Sequence, residues 1–367
     1  MTWFCSALPR VRQRKATTLT TRRYRIGAVL VALVILLSSV PAYADPISDK
    51  QAEATRIQRQ IGALDTKAEI ATENYNRAAD RYAKLSRKVR TTSRQLSRIQ
   101  AKMSKLQSHL YTRADDMYRS GPLGFLEVLL NAKSFDEFNK TWDLLTDMNT
   151  QDAASVKDLR SARQEARQYY AVLRASQAAA ETQKTAMAKN KRAVLAQLAQ
   201  RKKLLAGVNA EIRNLLVAKQ AEEAASARRA YLTSSRGGSA WADPGGNPPS
   251  NLARGATVVW WAKSRLGSPY VWAASGPNEF DCSGLAMWCY DKVGVSLPHS
   301  SAEQYNSGQH VSQANLEPGD LVFFGRSGIH HVGIYVGGGQ MIEAPHSGAV
   351  VRYANAFRDD YAGACRP

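Results

Sequence analysis

This sequence is short of the side chains that gather metals and redox centres. Its 367 residues include only six histidines and four cysteines, with no His or Cys cluster at ligand spacing, so neither a metal nor a cofactor is expected. Acids are scarce beside bases, 31 against 50, and the first 44 residues hold seven bases and no acid. No proline occurs between Pro46 and Pro122, so nothing of that kind interrupts a helix there. The uncharged apolar run from Ile26 to Val40 is shorter than the roughly 20 residues of a comfortable membrane span.

The apolar run gives way to the small-residue pattern Ala42-Tyr43-Ala44. Basic start, apolar centre and small residues together read as a signal peptide over 1–44, cleaved after Ala44, with an uncleaved anchor as the alternative. Arg22-Arg23 is a weak twin-arginine match. Removing the seven leader charges from the formal +19 leaves +12. Residues 45–235 carry 34 bases and 21 acids, whereas residues 251–367 carry 8 and 9. The excess therefore sits in the middle region, where it suits peripheral contact with an anionic membrane or an acidic wall polymer. A solvated basic helical face is the competing reading. Export and a compact domain that is not basic argue against nucleic acid as a partner.

From Ile57 to Leu110 the apolar and small residues Ile57, Ile61, Leu64, Ala68, Ala71, Tyr75, Ala78 and Tyr82, and their successors, alternate in steps of four and three. This is a coiled-coil seam. A second helix is expected over Val156 to Ala230, with its clearest seam at Val194, Leu198, Leu205, Val208, Ile212 and Leu215. The two helices read as an antiparallel hairpin spanning 45–233, with an intermolecular dimer as the competing arrangement. Between them, the segment 121–148 breaks register at Gly121-Pro122 and becomes densely apolar, with Leu123, Phe125, Leu126, Val128, Leu129 and Leu130. A small local core with Phe135, Phe138, Trp142 and Leu145 is expected there, together with a partner-binding surface. Residues 234–250, SSRGGSAWADPGGNPPS, read as a flexible linker.

The remaining residues, 251–367, form one compact domain. Helices are expected over Thr257–Leu266 and Asp281–Val293. Strands follow at Asp320–Phe324, His331–Val336, Gln340–Ala344 and Ala349–Tyr353, with Gly337-Gly338-Gly339 as a hairpin turn. Helices first and an antiparallel sheet afterwards make an α+β fold. Cys282 starts the second helix with Asp281 as its cap, where the free amides and the helix dipole favour a thiolate. Cys289 lies among Leu285, Met287, Trp288 and Tyr290 and reads as a buried thiol. Of the five histidines in this domain, His331 opens the strand VGIYV, while His330 falls in the loop before it. Folding the hairpin brings Glu343 back alongside His331, which completes a nucleophile, a base and an orienting group. The residues alone leave a cysteine hydrolase standing against an incidental cysteine beside loop histidines.

The motifs Pro269-Tyr270-Val271-Trp272, Asp281-Cys282-Ser283-Gly284, Leu297-Pro298-His299-Ser300, Pro318-Gly319-Asp320-Leu321, His331-Val332-Gly333-Ile334-Tyr335 and Ile342-Glu343-Ala344-Pro345 occur in that order. In this the domain closely resembles the NlpC/P60 family of papain-like peptidoglycan endopeptidases. The resemblance implies Cys282 as nucleophile, His331 as general base and Glu343 as the orienting residue, where many relatives carry His, Asn or Gln. His346 is a fallback orienter. It further implies an oxyanion site of the Tyr270 hydroxyl and the Cys282 amide, and a substrate groove flanked by Asp281, Ser283, Ser300 and Ser301. The implied substrate is a peptidoglycan stem peptide, cut between D-isoglutamate and meso-diaminopimelate. If Cys282 stays free and Cys5 leaves with the leader, Cys289 and Cys365 are the remaining candidates for a disulfide, against two buried thiols.

The coiled coil ahead of the domain resembles actinobacterial division endopeptidases of the Rip type. More distantly it is similar to activators controlled by the FtsE and FtsX membrane complex. That likeness implies an FtsX-like partner at 121–148 and a hairpin that covers the active-site cleft. A non-catalytic adaptor that recruits another hydrolase is the alternative from a different class. An amidase or acyltransferase with the same thiol chemistry is a third reading, which residue spacing does not separate from the first.

Overall fold

The computed structural model describes residues 46–121, 124–234, 247–250 and 252–367. The leader, Leu123, the side chain of Phe125 and most of the linker lie outside the described residues. The chain divides into a unit ending at Ala52 and a larger one from Glu53 to Pro367, and the contacts that shape the site lie within the second.

Helix α1 runs over Pro46–Ser120, followed by the short α2, Gly124–Leu130, and by α3, Phe135–Ala206. Arg113 Nε donates to Asp152 Oδ2 at 2.9 Å, Gln100 Nε2 to Tyr170 Oη at 2.9 Å, and Arg201 Nε lies 2.8 Å from Asp65 Oδ1. Partner numbers rise as α1 numbers fall, so the chain folds back on itself as an antiparallel hairpin. The seam residues Ile57, Ile61, Ala68, Ala71, Ala78 and Leu96 are buried.

Two boundaries differ from the periodicity. Helix α3 begins at Phe135 rather than near Val156, because Ser134 caps it and accepts from Glu137 N–H. The signal was Ser134 followed three residues later by Glu137. The second long helix is also broken: α3 stops at Gly207, and Asn209 Oδ1 accepts from Ile212 N–H at 2.8 Å to start α4, Ala210–Ser234. Val208 and Ile212 still pack with Ile57 and Ile61, so the break does not lose the seam. The expected local core at the far end of the hairpin is much smaller than its composition suggests. Leu129 is buried, but Leu130, Phe135, Trp142 and Leu144 are more than half exposed. About two turns of α2 against the single helix α3 do not enclose that many side chains.

The C-terminal domain supplies helices α5 (Arg254–Lys263), α6 (Cys282–Asp291) and α7 (Ser301–Gln304). Its antiparallel sheet has the order β1-β6-β2-β3-β4-β5. The strands are β1 Gln309–Val311, β2 Leu321–Phe324, β3 His331–Gly337, β4 Gln340–Glu343, β5 Arg352–Asn355 and β6 Tyr361–Arg366. One sheet face carries Phe323, Val332, Ile334 and Ile342 against Leu285, Ala286 and Cys289 of α6; the other buries Val322, Phe324, Tyr335 and Met341. This is an α+β domain, helices first and an antiparallel sheet after them, preceded by a helical hairpin. The strand expected over Ala349–Tyr353 starts later, at Arg352, because Ala349 and Val351 instead bond the loop before the nucleophile. Tyr270 N–H donates to Ala349 O and Gly267 N–H to Val351 O, both at 2.9 Å. Strands β1 and β6 had no alternating pattern to reveal them.

Helix α4 belongs to this domain's core. Ala227 and Tyr231 share its main cluster, Tyr231 stacks on Tyr353 at 5.3 Å, and Lys263 Nζ donates to Tyr231 Oη at 2.7 Å. Truncating Tyr231 to Ala should cost about 3 kcal/mol. Thermal unfolding of the C-terminal unit should fall accordingly; an unchanged midpoint would make α4 a passenger.

Candidate active site

Asp281 ends an extended segment and caps α6, its Oδ1 accepting from Gly284 N–H at 2.6 Å. Gly284 has no substitute here, since a Cβ would lie 2.1 Å from Ala274 O. Cys282 is thereby the first helical residue, 5% exposed, with its Sγ 4.0 Å from the backbone oxygen of His330. Strand β3 then carries His331, and the β3–β4 hairpin returns Glu343 to it. Glu343 Oε2 accepts from His331 Nε2 at 2.9 Å, and both side chains are essentially buried. Two residues that composition did not single out complete this pair. Arg352 Nε donates to Glu343 Oε1 and Arg358 to Oε2, each at 3.2 Å. The Arg358 guanidinium also lies 3.8 Å over the Phe324 ring.

The sequence-expected groove residues cluster as well. Asp281 accepts from Ser283 Oγ at 3.2 Å and contacts His299 Nε2 at 2.9 and 3.0 Å. Ser283 is fully buried, its carbonyl accepting from Gln304. Tyr270 is 6% exposed, anchored by the loop bonds above. His346 does not join the orienting position: its Nδ1 faces Asp65 Oδ2 at 3.4 Å. Cys289 and Cys365 are separate buried thiols, Cys365 Sγ donating to Gln304 O.

A polar face of α1 lies along this cleft. Glu73 accepts from Ser300 Oγ, from Ser301 N–H and Oγ at 2.9 Å each, and from Ala302 N–H at 3.3 Å. Asn76 Nδ2 donates to Asp281 Oδ2 at 2.8 Å, and Asp80 accepts from His299 N–H at 2.9 Å. Glu69 Oε2 sits 3.9 Å from His331 Nδ1, the ring nitrogen that has no hydrogen-bond partner. Thr72 lies against Tyr270, and Tyr75 meets Trp272 edge-on at 5.2 Å. Asp65, Glu69, Thr72, Glu73, Asn76 and Asp80 follow helical steps on a face beside the seam. The sequence signal was an acid-rich turn series, Asp65, Glu69 and Glu73, in an otherwise basic region.

These contacts set the electrostatics. Burial pushes the Cys282 thiol well up, and Asp281, Glu73 and Glu69 add to it against the Ser283 amide. The thiolate expected from the helix N-terminus is thus disfavoured here, because burial and three carboxylates, Asp281 of the cap and Glu73 and Glu69 of α1, outweigh the dipole. Burial lowers His331 although Glu343 opposes it, and Arg358 adds to the lowering. Glu343 is held well below the usual carboxylate range: burial raises it, but His331, Arg358 and Arg352 more than offset that. Burial disfavours charge on His299, and Asp281 overcomes this to raise it.

Residues 267–363 match the model of the NlpC/P60 family. A probable endopeptidase p60 of Listeria grayi is 52% identical over 91 residues, 24% of this chain and 18% of that protein. The peptidoglycan endopeptidase RipA of Mycobacterium tuberculosis is 41% identical over 110 residues, 26% of this chain and 23% of that one. The match thus spans well under half the length of these relatives. Among solved structures, the NlpC/p60 domain of the peptidoglycan hydrolase SagA is 35% identical, covers 31% of this chain and 98% of that chain, and aligns with a TM-score of 0.30.

Replacing Arg358 with Ala removes a cation that lowers the His331 pKa, so the His331 titration midpoint should rise. Ring-proton NMR across the titration would read it, and an unmoved midpoint would deny Arg358 any electrostatic reach into the pair.

Proposed function

From the match of residues 267–363 to the NlpC/P60 family model, we propose that the chain is a secreted cysteine endopeptidase of peptidoglycan. It cuts the stem peptide between D-isoglutamate and meso-diaminopimelate in wall remodelling or division, and α1 holds it inactive. The observation that carries this reading is Cys282 at a capped helix start beside the buried His331–Glu343 pair.

In the mechanism, His331 Nδ1 takes the proton of Cys282, and the thiolate adds to the γ-carbonyl carbon of D-isoglutamate. The oxyanion is stabilised by the Cys282 N–H and the Tyr270 hydroxyl. Collapse breaks the C–N bond while His331 returns its proton to the departing amine of the diamino acid. Water, deprotonated by His331, then cleaves the thioester and frees the thiol. Glu343 holds the imidazole by Nε2 and stabilises its cationic form, with Arg352 and Arg358 fixing the carboxylate.

The docked α1 face supports the inhibitory part. Glu73 fills the donors at Ser300 to Ala302, Asn76 takes up Asp281, and Glu69 stands over the free nitrogen of the base. Breaking a buried network of this kind by substituting one member costs about 3 kcal/mol, or roughly 100-fold in the docked-to-released ratio.

Digestion of purified peptidoglycan followed by muropeptide mass spectrometry tests both parts. Disaccharide dipeptides should appear, Cys282→Ala should abolish them, and Glu73→Lys should raise their rate at least ~10-fold. Persisting product in Cys282→Ala would sink the mechanism, and an unchanged rate in Glu73→Lys would sink the inhibition.

Docking is also expected to depend on pH. Burial raises Glu69 well above, and Glu73 above, the free carboxylate value. The docked state therefore holds extra protons, and their contribution is full below about pH 4 and lost as pH rises through the raised values. His331, lowered on burial, opposes this only below about pH 6.5. As pH rises above the free carboxylate range, hydrogen exchange in 65–80, corrected for its intrinsic pH dependence, should accelerate, and less so in Glu69→Gln; identical profiles would exclude Glu69 as the titrating group.

A further inference from the structure

Between Asp80 and Asp115, α1 carries ten lysines and arginines and no acid. Arg87, Arg90, Arg94, Arg98, Lys102 and Lys105 are all exposed. Four of these, from Arg90 to Lys102, recur at every fourth residue and form one ridge, a cation per ~6 Å of helix axis. Of the six, only Lys102 has an acidic partner among the described residues, Asp158 at 3.3 Å. The Arg113–Asp152 and Gln100–Tyr170 contacts fix the level at which the helices pass. That level brings Arg163, Arg167 and Arg174 of α3, also exposed, beside the same stretch.

Like charges four residues apart destabilise a helix. Three consecutive steps of that kind work against the shaft they sit on, unless an external anion offsets them. Solubility alone would be served as well by mixed charges. We propose that this ridge is a docking surface for a linear phosphodiester polymer, an anionic chain of the kind threaded through a cell wall.

Three features favour a polymer over a bilayer. The ridge is narrow and repeats along one line, which matches a chain with one charge per repeat unit. Arginine dominates it, and the guanidinium fork suits phosphate oxygens in pairs. No large apolar side chain of α1 between Lys84 and Lys105 is exposed to enter lipid; Val89, Leu96, Ile99 and Met103 face the hairpin seam. The inference rests on this surface alone and stands whether or not Cys282 is the nucleophile.

The test uses the full chain from Asp45 and fluorescently labelled poly(glycerol phosphate), titrated by anisotropy at several salt concentrations. Binding is expected near 0.15 M salt, with log affinity falling against log salt at a slope of about −3 to −4 for some five neutralised phosphates. The triple variant Arg90→Gln, Arg94→Gln, Arg98→Gln keeps good helix formers and relieves the like-charge steps, so its circular dichroism should be undiminished. Its affinity should drop at least ~10-fold and its slope flatten by about 2. Absence of binding by the parent chain, an unaltered slope and affinity in the variant, or tighter binding to phosphatidylglycerol vesicles than to the polymer at equal phosphate would each overturn the proposal.

Discussion

The Asp281 carboxylate is the point on which three parts of this molecule converge. It caps the nucleophile helix through Gly284, holds Ser283 and His299, and receives Asn76 from the coiled coil. A fully buried carboxylate is tolerable only when its lone pairs are filled, and here the four donors come from three structural elements. The helix that presents Cys282, the loop that forms one cleft wall and the α1 shaft therefore share a single anion. Removing any one donor changes the electrostatic surroundings of the thiol as well as the local geometry.

Much of this was legible in the chain. The seam from Ile57 to Leu110 foretold the hairpin because a 3.6-residue helix with a strict heptad has few other solutions. The hairpin turn at Gly337 to Gly339 foretold the meeting of His331 and Glu343, since strand pairing fixes which residues oppose each other. What escaped reading was set by tertiary packing. Asp65, Glu69, Glu73 and Asn76 look like the solvated flank of a coiled coil until a second surface covers them. Arg352 and Arg358 are ordinary surface arginines in sequence, and become partners of Glu343 only once β5 and the segment after it fold back. The strand β6 pairs with residues some forty to sixty positions away, and no local alternation announces it.

The same contrast explains the thiol. A helix N-terminus lowers a cysteine pKa when water and free amides surround it. Here burial, the capping Asp281 and the α1 carboxylates Glu73 and Glu69 reverse that sign. Local sequence determines the position of Cys282, while burial, its neighbour Asp281 and carboxylates some two hundred residues away together disfavour its thiolate.

The length of α1 has a mechanical meaning. Its contact with the C-terminal domain along the cleft runs from Asp65 to Lys84, about 28 Å of axis, while the shaft continues from Lys84 to Ser120 for about 54 Å more. Under the proposed inhibition, a continuous helix of that length would act as a crowbar with its fulcrum at the short end. If α1 inhibits as proposed, a sideways pull at the far tip would be multiplied nearly twofold at the cleft, so that a weak tug at a distance would prise open a seat that thermal motion alone leaves shut.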